Sequence, residues 1–377
     1  MFEKELKRIE KLHLDRHIIS RSSVSGPVIM IKGRKYINFS SNDYLGLAGH
    51  PKVIESAIEA VGKYSLGTGA SRLLAGGTVL HERLEVRISE FKGTESALVF
   101  NSGYAANTGV IPALAHDGAV IFSDELNHAS IIDGCRLSRA RTVIYRHGDT
   151  LQLEKLIKEE GKGEKVVVTD SVFSMDGDIA PLGDLYDICR KYRAVLYIDD
   201  AHGTGVLGNG KGALEHFNIR PEPWIVQMGT FSKAMGSFGA FIAGSEDVIR
   251  WVLNTARSFI FSTALPPGVI AASIAALRIV RTDRVLIKRL WANRERLVAG
   301  IRNAGFDTGG SETPIIPIKT GTIGRALGIS GFLYGKGIYA PAVRPPAVRE
   351  PRVRITVSAA HNDGHIDALL HALEGLD

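Results

Sequence analysis

The sequence predicts an α/β fold: a mostly parallel central sheet covered by helices on both faces, with a smaller α+β domain at the C-terminal end. Three observations carry this expectation. From about residue 97 to 244, short β-branched apolar runs alternate with segments whose apolar residues recur every three or four positions. Those runs are almost continuously apolar, as in parallel strands buried on both faces. After Pro266-Pro267 the pattern changes to long helical stretches with few short strands. At 377 residues the chain also exceeds what a single hydrophobic core ordinarily supports. The expected division is an N-terminal helix and arm over 1–45, a large domain over 46–267 and a small domain over 268–377.

Taken in order, Phe2, Leu6, Ile9 and Leu12 recur at helical spacing and predict an amphipathic first helix that packs on a neighbour. Strands are expected at 97–100, 119–123, 142–145, 166–169, 195–198, 224–228 and 240–243, with helices over 151–160 and 182–192 between them. The C-terminal part is expected to hold helices over 271–280 and 285–304 and strands over 314–318 and 353–358. In such a sheet, ligands bind beyond the carboxyl ends of the strands. The residues just past those ends therefore matter most.

Bulk properties exclude several classes. The net charge is +6, but Lys and Arg are interleaved with Asp and Glu, and no basic run carries aromatic stacking partners. A mildly basic, solvated surface is expected, not a nucleic-acid interface. Cys135 and Cys189 are the only cysteines, so neither a disulfide framework nor a Cys/His zinc pattern is available, and no metal is expected. The N-terminus is too charged for a signal peptide, and the longest apolar run, around 269–277, is too short to span a bilayer. A cytoplasmic enzyme without membrane contact fits.

Three chemically active groups stand at strand tips. The strand at 195–198 runs into Asp199-Asp200-Ala201-His202, and the strand at 224–228 runs into Gly229-Thr230-Phe231-Ser232-Lys233. An amine, a carboxylate and an imidazole in such places are what pyridoxal phosphate requires. Its aldehyde needs an amine, and its pyridine nitrogen needs an anion to stay protonated. Ser102-Gly103-Tyr104 comes after another strand and opens a helical pattern, offering free backbone N–H groups to a phosphate, although Ser102 serves equally as an ordinary N-cap. His128, in Asn127-His128-Ala129-Ser130, either stacks on a flat ring or caps a helix. Ser174, in Phe173-Ser174-Met175-Asp176-Gly177, faces the same crevice once these segments are combined.

Other motifs read less specifically. Gly203-Thr204-Gly205-Val206-Leu207-Gly208 spells a dinucleotide fingerprint, but it comes after Asp-Asp-Ala-His and precedes another glycine-rich loop instead of a long helix. These glycines are expected to let the chain pass close to a flat cofactor. The loop over 64–77 lacks the order of a nucleotide P-loop. His81-Glu82-Arg83 lacks a second histidine at zinc spacing and reads as a helix start. Arg352-Val353-Arg354 points two guanidiniums to one face of a strand, and one of them is a candidate for a substrate carboxylate.

Together these segments resemble the α-oxoamine synthases, pyridoxal-phosphate enzymes with the aspartate aminotransferase fold (fold type I). The matching stretches are Asn38 to Gly46, Gly67-Thr68-Gly69, Ser102 to Tyr104, His128 with Ser130, Phe173 to Asp178, Asp199 to Gly205, Thr230 to Lys233 and Arg352 to His361. The resemblance runs from near residue 35 to the C-terminal end. It implies that Lys233 forms the Schiff base with the cofactor, Asp199 pairs with the pyridine nitrogen, and His202, with Ser174, meets the ring hydroxyl. His128 would stack on the ring and contact substrate. Gly103, Tyr104 and Thr230 would hold the phosphate, and Arg354 would grip the amino acid carboxylate. Arg16, or less favourably Arg21, would touch the acyl substrate, and Asn42 is carried over as a further substrate contact. Within the family, the stretch Asn38 to Gly46 and the Arg344-Pro345-Pro346 segment are most similar to the branch that joins L-alanine to a pimeloyl thioester of coenzyme A or acyl-carrier protein. That branch commonly has Thr after Arg-Pro-Pro, where this chain has Ala347, so a hydroxyl near the substrate is missing or supplied elsewhere. The resemblance further implies a homodimer, with the 64–77 loop contributed to the partner's site. Three rivals are a glycine-using member of the family, a nicotinamide dehydrogenase built on 203–208, and a non-catalytic cofactor-binding regulator.

Overall fold

The computed structural model describes residues 2–161 and 163–376, which divide into two compact units. One comprises His50–Ser174 and Ile179–Ile287; the other comprises the chain up to Gly49, Met175–Asp178 and the chain from Lys288 onward. The boundary therefore falls at 287/288, not at the expected 267/268, and the N-terminal arm joins the C-terminal unit. The reason is packing. Helix Pro267–Thr282 lies on helix Pro51–Tyr64, and Gly268 makes the close approach possible, since a Cβ there would lie 2.8 Å from Val61 Cγ2.

The larger unit is built on seven strands: β1 (Ser96–Phe100), β2 (Val120–Asp124), β3 (Arg141–Tyr145), β4 (Lys165–Asp170), β5 (Val195–Asp199), β6 (Ile225–Thr230) and β7 (Ala240–Gly244). Their order in the sheet is β1-β7-β6-β5-β4-β2-β3, parallel except for β7, which runs antiparallel to both neighbours. All seven expected strands form, each within two residues of its expected limits. Strands β4, β6 and β7 are buried along their whole length, which is why their sequences show no alternation. Ile121, Val168, Tyr197, Val226 and Ile242 anchor the core between sheet and helices. Helix Gly103–Leu114 crosses helix Ala129–Ser138 closely: a Cβ on Gly134 would lie 2.7 Å from the Asn107 carbonyl.

The smaller unit holds two three-stranded sheets. In one, Arg352–Thr356 lies between Ile315–Lys319 and Ala342–Val343, antiparallel to both. In the other, the hairpin Val28–Ile31 and Arg34–Asn38 is extended by Ile338–Tyr339. The sequence pattern does not announce this hairpin; its turn, Lys32-Gly33, has positive φ at both residues, as a tight two-residue turn demands. Helices Ile323–Gly335 and Asp363–Glu374 cover a core that includes Phe39, Ile316, Leu333, Ile355 and Leu369.

The first helix forms over Phe2–Lys11 but buries none of its residues, and Phe2 is 78% exposed. The expected packing of this helix on a neighbour is thus not found among the described residues. Among the described residues, no helix is long and apolar enough to cross a membrane.

Candidate active site

In the larger unit, several of the candidate side chains gather where β4, β5 and β6 end. Asp199 is the last residue of β5 and is buried. Its Oδ2 accepts a hydrogen bond from Asn107 Nδ2 at 2.8 Å, and its Oδ1 accepts one from the Ala201 amide at 3.0 Å. Burial raises the carboxyl above its ordinary value, while the Lys233 ammonium, Asn107, the Ala201 amide and His128 pull it back toward the charged form. Asn107 is the hub: its Nδ2 also donates to Ser130 Oγ at 2.8 Å, and its Oδ1 accepts from the Tyr197 hydroxyl at 2.6 Å. Such a fully satisfied buried network holds a single geometry.

His128 is the N-cap of helix Ala129–Ser138, with its Nδ1 2.7 Å from Ser130 Oγ. Its backbone N–H donates to Asp170 Oδ2 at 2.7 Å. Burial lowers the imidazole below its usual value against the opposing pull of Asp199, and Lys233 lowers it further. The ring is therefore biased toward the neutral form. Of the two readings of His128, the structure shows the helix cap, which fixes the ring. Asp170 ends β4 directly beside Asp199 in register. Burial, then the neighbouring Asp199 charge, push its carboxyl well above the ordinary range.

Lys233 is half-buried, with its Nζ 3.5 Å from Thr230 Oγ1 at the end of β6. Gly103 begins its helix under Thr230: a Cβ there would lie 2.9 Å from Thr230 Cγ2. Ser102 Oγ accepts from the Ala105 amide at 3.1 Å and caps that helix. The helix start beside Thr230 thus has room only for a glycine, with amides and the positive end of the helix dipole at hand for an anion. His202 is buried three residues beyond Asp199, and Ser174 is half-buried on the turn after Phe173. Tyr104, next in the helix, is 48% exposed, and its hydroxyl donates to Asp133.

The fingerprint-like segment is not a dinucleotide site. It leads into a single 3₁₀ turn, Gly208–Gly210, and the four-residue helix Ala213–His216, so no long helix offers its N-terminus to a pyrophosphate there.

The smaller unit carries the second set of residues. Arg354 is buried on its strand; its Nη1 donates to Thr356 Oγ1 at 2.9 Å and its Nη2 to Asn42 Oδ1 at 3.2 Å. Two expected substrate contacts, Arg354 and Asn42, are thus brought together. Tyr44, pushed up to about 12 by burial, also hydrogen-bonds this guanidinium, which burial in turn lowers. Arg352 is committed elsewhere, to Asp176, to the Met175 carbonyl at 3.1 Å and to the Glu350 carbonyl at 3.1 Å. The pair of guanidiniums is thereby resolved into one structural and one candidate binding residue. Arg16 and Ala347 line one cavity of about 770 Å³ with Arg344, Tyr334 and Leu327. Arg21 is bound to the Ser23 carbonyl and does not line that cavity.

Sequence reasoning passes over Asn107, Asp170 and Lys92. Asn107 is legible in principle: it lies one helical turn beyond Gly103, a lone amide on the face of the phosphate-candidate residue. Lys92 continues the buried stripe of Leu84 and Ile88 at four-residue steps, a place where a charge demands a partner.

The chain has close counterparts among known proteins. Residues 34–373 match the family described as aminotransferase class I and II. The chain is 46% identical to an 8-amino-7-oxononanoate synthase of Thermoanaerobacter pseudethanolicus, over 99% of this chain and 95% of the relative. It is 47% identical to an 8-amino-7-oxononanoate synthase of Geobacter sulfurreducens, over 98% and 96%. A solved serine palmitoyltransferase of S. paucimobilis, with a pyridoxal phosphate–myriocin adduct bound, superposes with a TM-score of 0.94 at 31% identity, covering 99% of this chain and 96% of that one.

Proposed function

This chain belongs to the aminotransferase class I and II family, of fold type I, and from that premise we propose that it is an 8-amino-7-oxononanoate synthase of biotin synthesis. It condenses L-alanine with a pimeloyl thioester of coenzyme A or acyl-carrier protein, releasing carbon dioxide and the thiol. The observation that carries the reading is the buried Asp199 carboxylate, supported by Asn107, at the same end of the sheet as Lys233.

The residues fit pyridoxal phosphate. The helix start at Gly103 would offer amides to its phosphate beside Thr230, Asp199 suits its pyridine nitrogen, His202 with Ser174 its ring hydroxyl, and Lys233 its aldehyde. When bound, the cofactor supplies an aldehyde for amine exchange and an electron-withdrawing pyridinium ring. The protein does the rest. Asp199, drawn toward the charged form against burial by Lys233, Asn107 and the Ala201 amide, would hold the proton on the ring nitrogen. His128, neutral and fixed through Ser130, gives a flat apolar face for stacking and excludes water. Arg354, oriented by Asn42 and Thr356, grips the alanine carboxylate. Lys233 Nζ takes the proton from the alanine α-carbon and later returns one to the same position. The cavity shared by Arg16 and Ala347 is of a size to take an acyl chain.

A homodimer is part of the proposal. Leu66, Leu73 and Leu74, on the glycine-rich loop over 64–77, are 76%, 50% and 82% exposed, which suits a loop lying against a second copy.

Incubation with L-alanine and pimeloyl-CoA, in parallel with glycine and acetyl-CoA, tests the assignment by product mass. The proposal expects 8-amino-7-oxononanoate from the first mixture and at least about tenfold less product from the second, since one methyl contributes ~1–3 kcal/mol of discrimination. A product only from glycine and acetyl-CoA would move the chain to another branch of the family.

A further inference from the structure

Two aspartates stand together after β5, and they serve different ends. Asp199 faces the candidate cofactor site, whereas Asp200 is surrounded by donors of its own unit. Its Oδ2 accepts from Lys92 Nζ and from Thr204 Oγ1, each at 2.8 Å. Its Oδ1 accepts from Ser171 Oγ at 2.8 Å and from the Ala213 amide at 3.2 Å. Lys92 ends helix Val79–Lys92 and spends its remaining donors on the Lys211 carbonyl at 2.7 Å and Thr204 Oγ1 at 3.3 Å. The two side chains are 0% and 2% exposed, so this is a dry ion pair with every polar atom satisfied.

Gly203, the first glycine of the fingerprint-like segment, and Gly212 beyond it have a common cause. A Cβ on Gly203 would overlap Asp200 Oδ1, and a Cβ on Gly212 would overlap Asp200 Oδ2. The chain from 199 to 213 is wound around one carboxylate, and glycine is required where it passes closest. Buried ion pairs contribute little net stability compared with well-packed apolar residues, so stability alone does not account for this construction.

We propose that the Lys92–Asp200 pair is a positioning device that fixes the turn over 199–204, so that Asp199 and His202, its neighbours on either side, present their side chains to the cofactor. The inference rests on the pyridoxal-phosphate reading above. Neither Lys92 nor Asp200 touches the cofactor; both act through the backbone they clamp, by the amide of Asp200 on the Met228 carbonyl at 2.7 Å and of Thr204 on the Asp200 carbonyl at 2.8 Å.

The test uses the full-length protein and two readouts, the dissociation constant for pyridoxal phosphate and the pH midpoint of the bound cofactor's absorbance band. Both are measured at a temperature where circular dichroism shows each variant folded. Lys92→Met alone strands a buried carboxylate and is expected to unfold readily. The double variant Lys92→Met/Asp200→Asn leaves no unpaired charge, and it is the decisive one. Its cofactor affinity is expected to fall about tenfold or more, the range seen when an orienting partner of a binding residue is removed, and its absorbance midpoint is expected to move. A double variant that folds and keeps the wild-type constant and midpoint would overturn the proposal and leave the pair a purely structural one. Should it not fold, Thr204→Val, which keeps both charges, decides by the same readouts, with an expected loss of about threefold; unchanged values overturn the proposal. Wild-type protein that takes up no pyridoxal phosphate would instead overturn the parent reading, and this one with it.

Discussion

Asn107→Leu is the perturbation that reaches furthest into the site without touching any group expected to react. The amide is fully buried and joins three partners: Asp199, Ser130 and Tyr197. Leucine has nearly the same volume, so packing is largely kept while the hydrogen bonds are lost. Losing the charge-assisted bond to Asp199 costs ~1.5–3 kcal/mol, and leaving the buried Tyr197 hydroxyl without its acceptor costs a further ~1–3 kcal/mol. The expected destabilisation is therefore about 2.5–6 kcal/mol, a large share of the stability of an ordinary domain. A second consequence has a definite sign. Asn107 favours the charged form of Asp199 against burial, so its loss raises that carboxyl further. The carboxylate is then neutralised at a higher pH than in the wild type, and the acid limb of cofactor binding moves upward. Urea denaturation measures the first effect; cofactor titration across pH measures the second. A loss below about 1 kcal/mol, or an acid limb that stays where the wild type has it, would refute the reasoning.

The same geometry yields further outcomes. Lys233→Ala should retain the fold and lose product formation by at least about 10²–10⁴-fold, the ordinary contribution of a positioned proton-transfer group; turnover near the wild-type rate would contradict its role. Arg354→Lys should raise the KM for alanine about tenfold or more with a smaller change in kcat, because lysine cannot make the planar two-pronged contact. Gly212→Ala should destabilise the protein by more than about 3 kcal/mol, since the position has φ +109 and the added carbon overlaps Asp200. A thermal melt like that of the wild type would show that the segment is looser than described. His361 is held neutral by burial, its imidazole lowered to about 4, with Nε2 3.2 Å from the Asn38 carbonyl and its ring stacked on Phe39. Its folded value lies below the unfolded one, so stability is complete above about 6.5 and falls as pH drops from there toward 4, by about 3 kcal/mol. His361→Asn should flatten that slope in denaturation experiments run at several pH values.

The sheet is legible because its strands are buried on both faces, so continuous apolar runs such as Val166 to Val168 leave little room for another reading. The positions of Lys233, His202 and Gly103 just past strand ends, and of Asp199 at the last residue of one, are legible because the apolar strands before them are, and this fold places ligands at those ends. The hairpin at 28–38 is not, since only Ile29, Ile31 and Tyr36 form its small core and the strand Arg34–Asn38 begins with two exposed charges. From the sequence, the glycines over 203–208 are expected to make way for a flat cofactor. The neighbour of Gly203 in the structure is the carboxylate of Asp200, as it is for Gly212, and no local pattern announces a lysine more than a hundred residues upstream as its partner. Networks such as Tyr197–Asn107–Asp199 join positions on separate elements, and spacing along the chain does not encode such contacts. Helix Phe2–Lys11 shows the converse: its periodicity is sound, but periodicity does not say what covers the apolar face.

The most direct test is chemical trapping at Lys233. Protein loaded with pyridoxal phosphate and reduced with borohydride should lose its visible absorbance, and peptide mapping should find one pyridoxyl group on the Lys233 Nζ. A label on any other lysine, or none at all from protein that remains folded, would contradict the account.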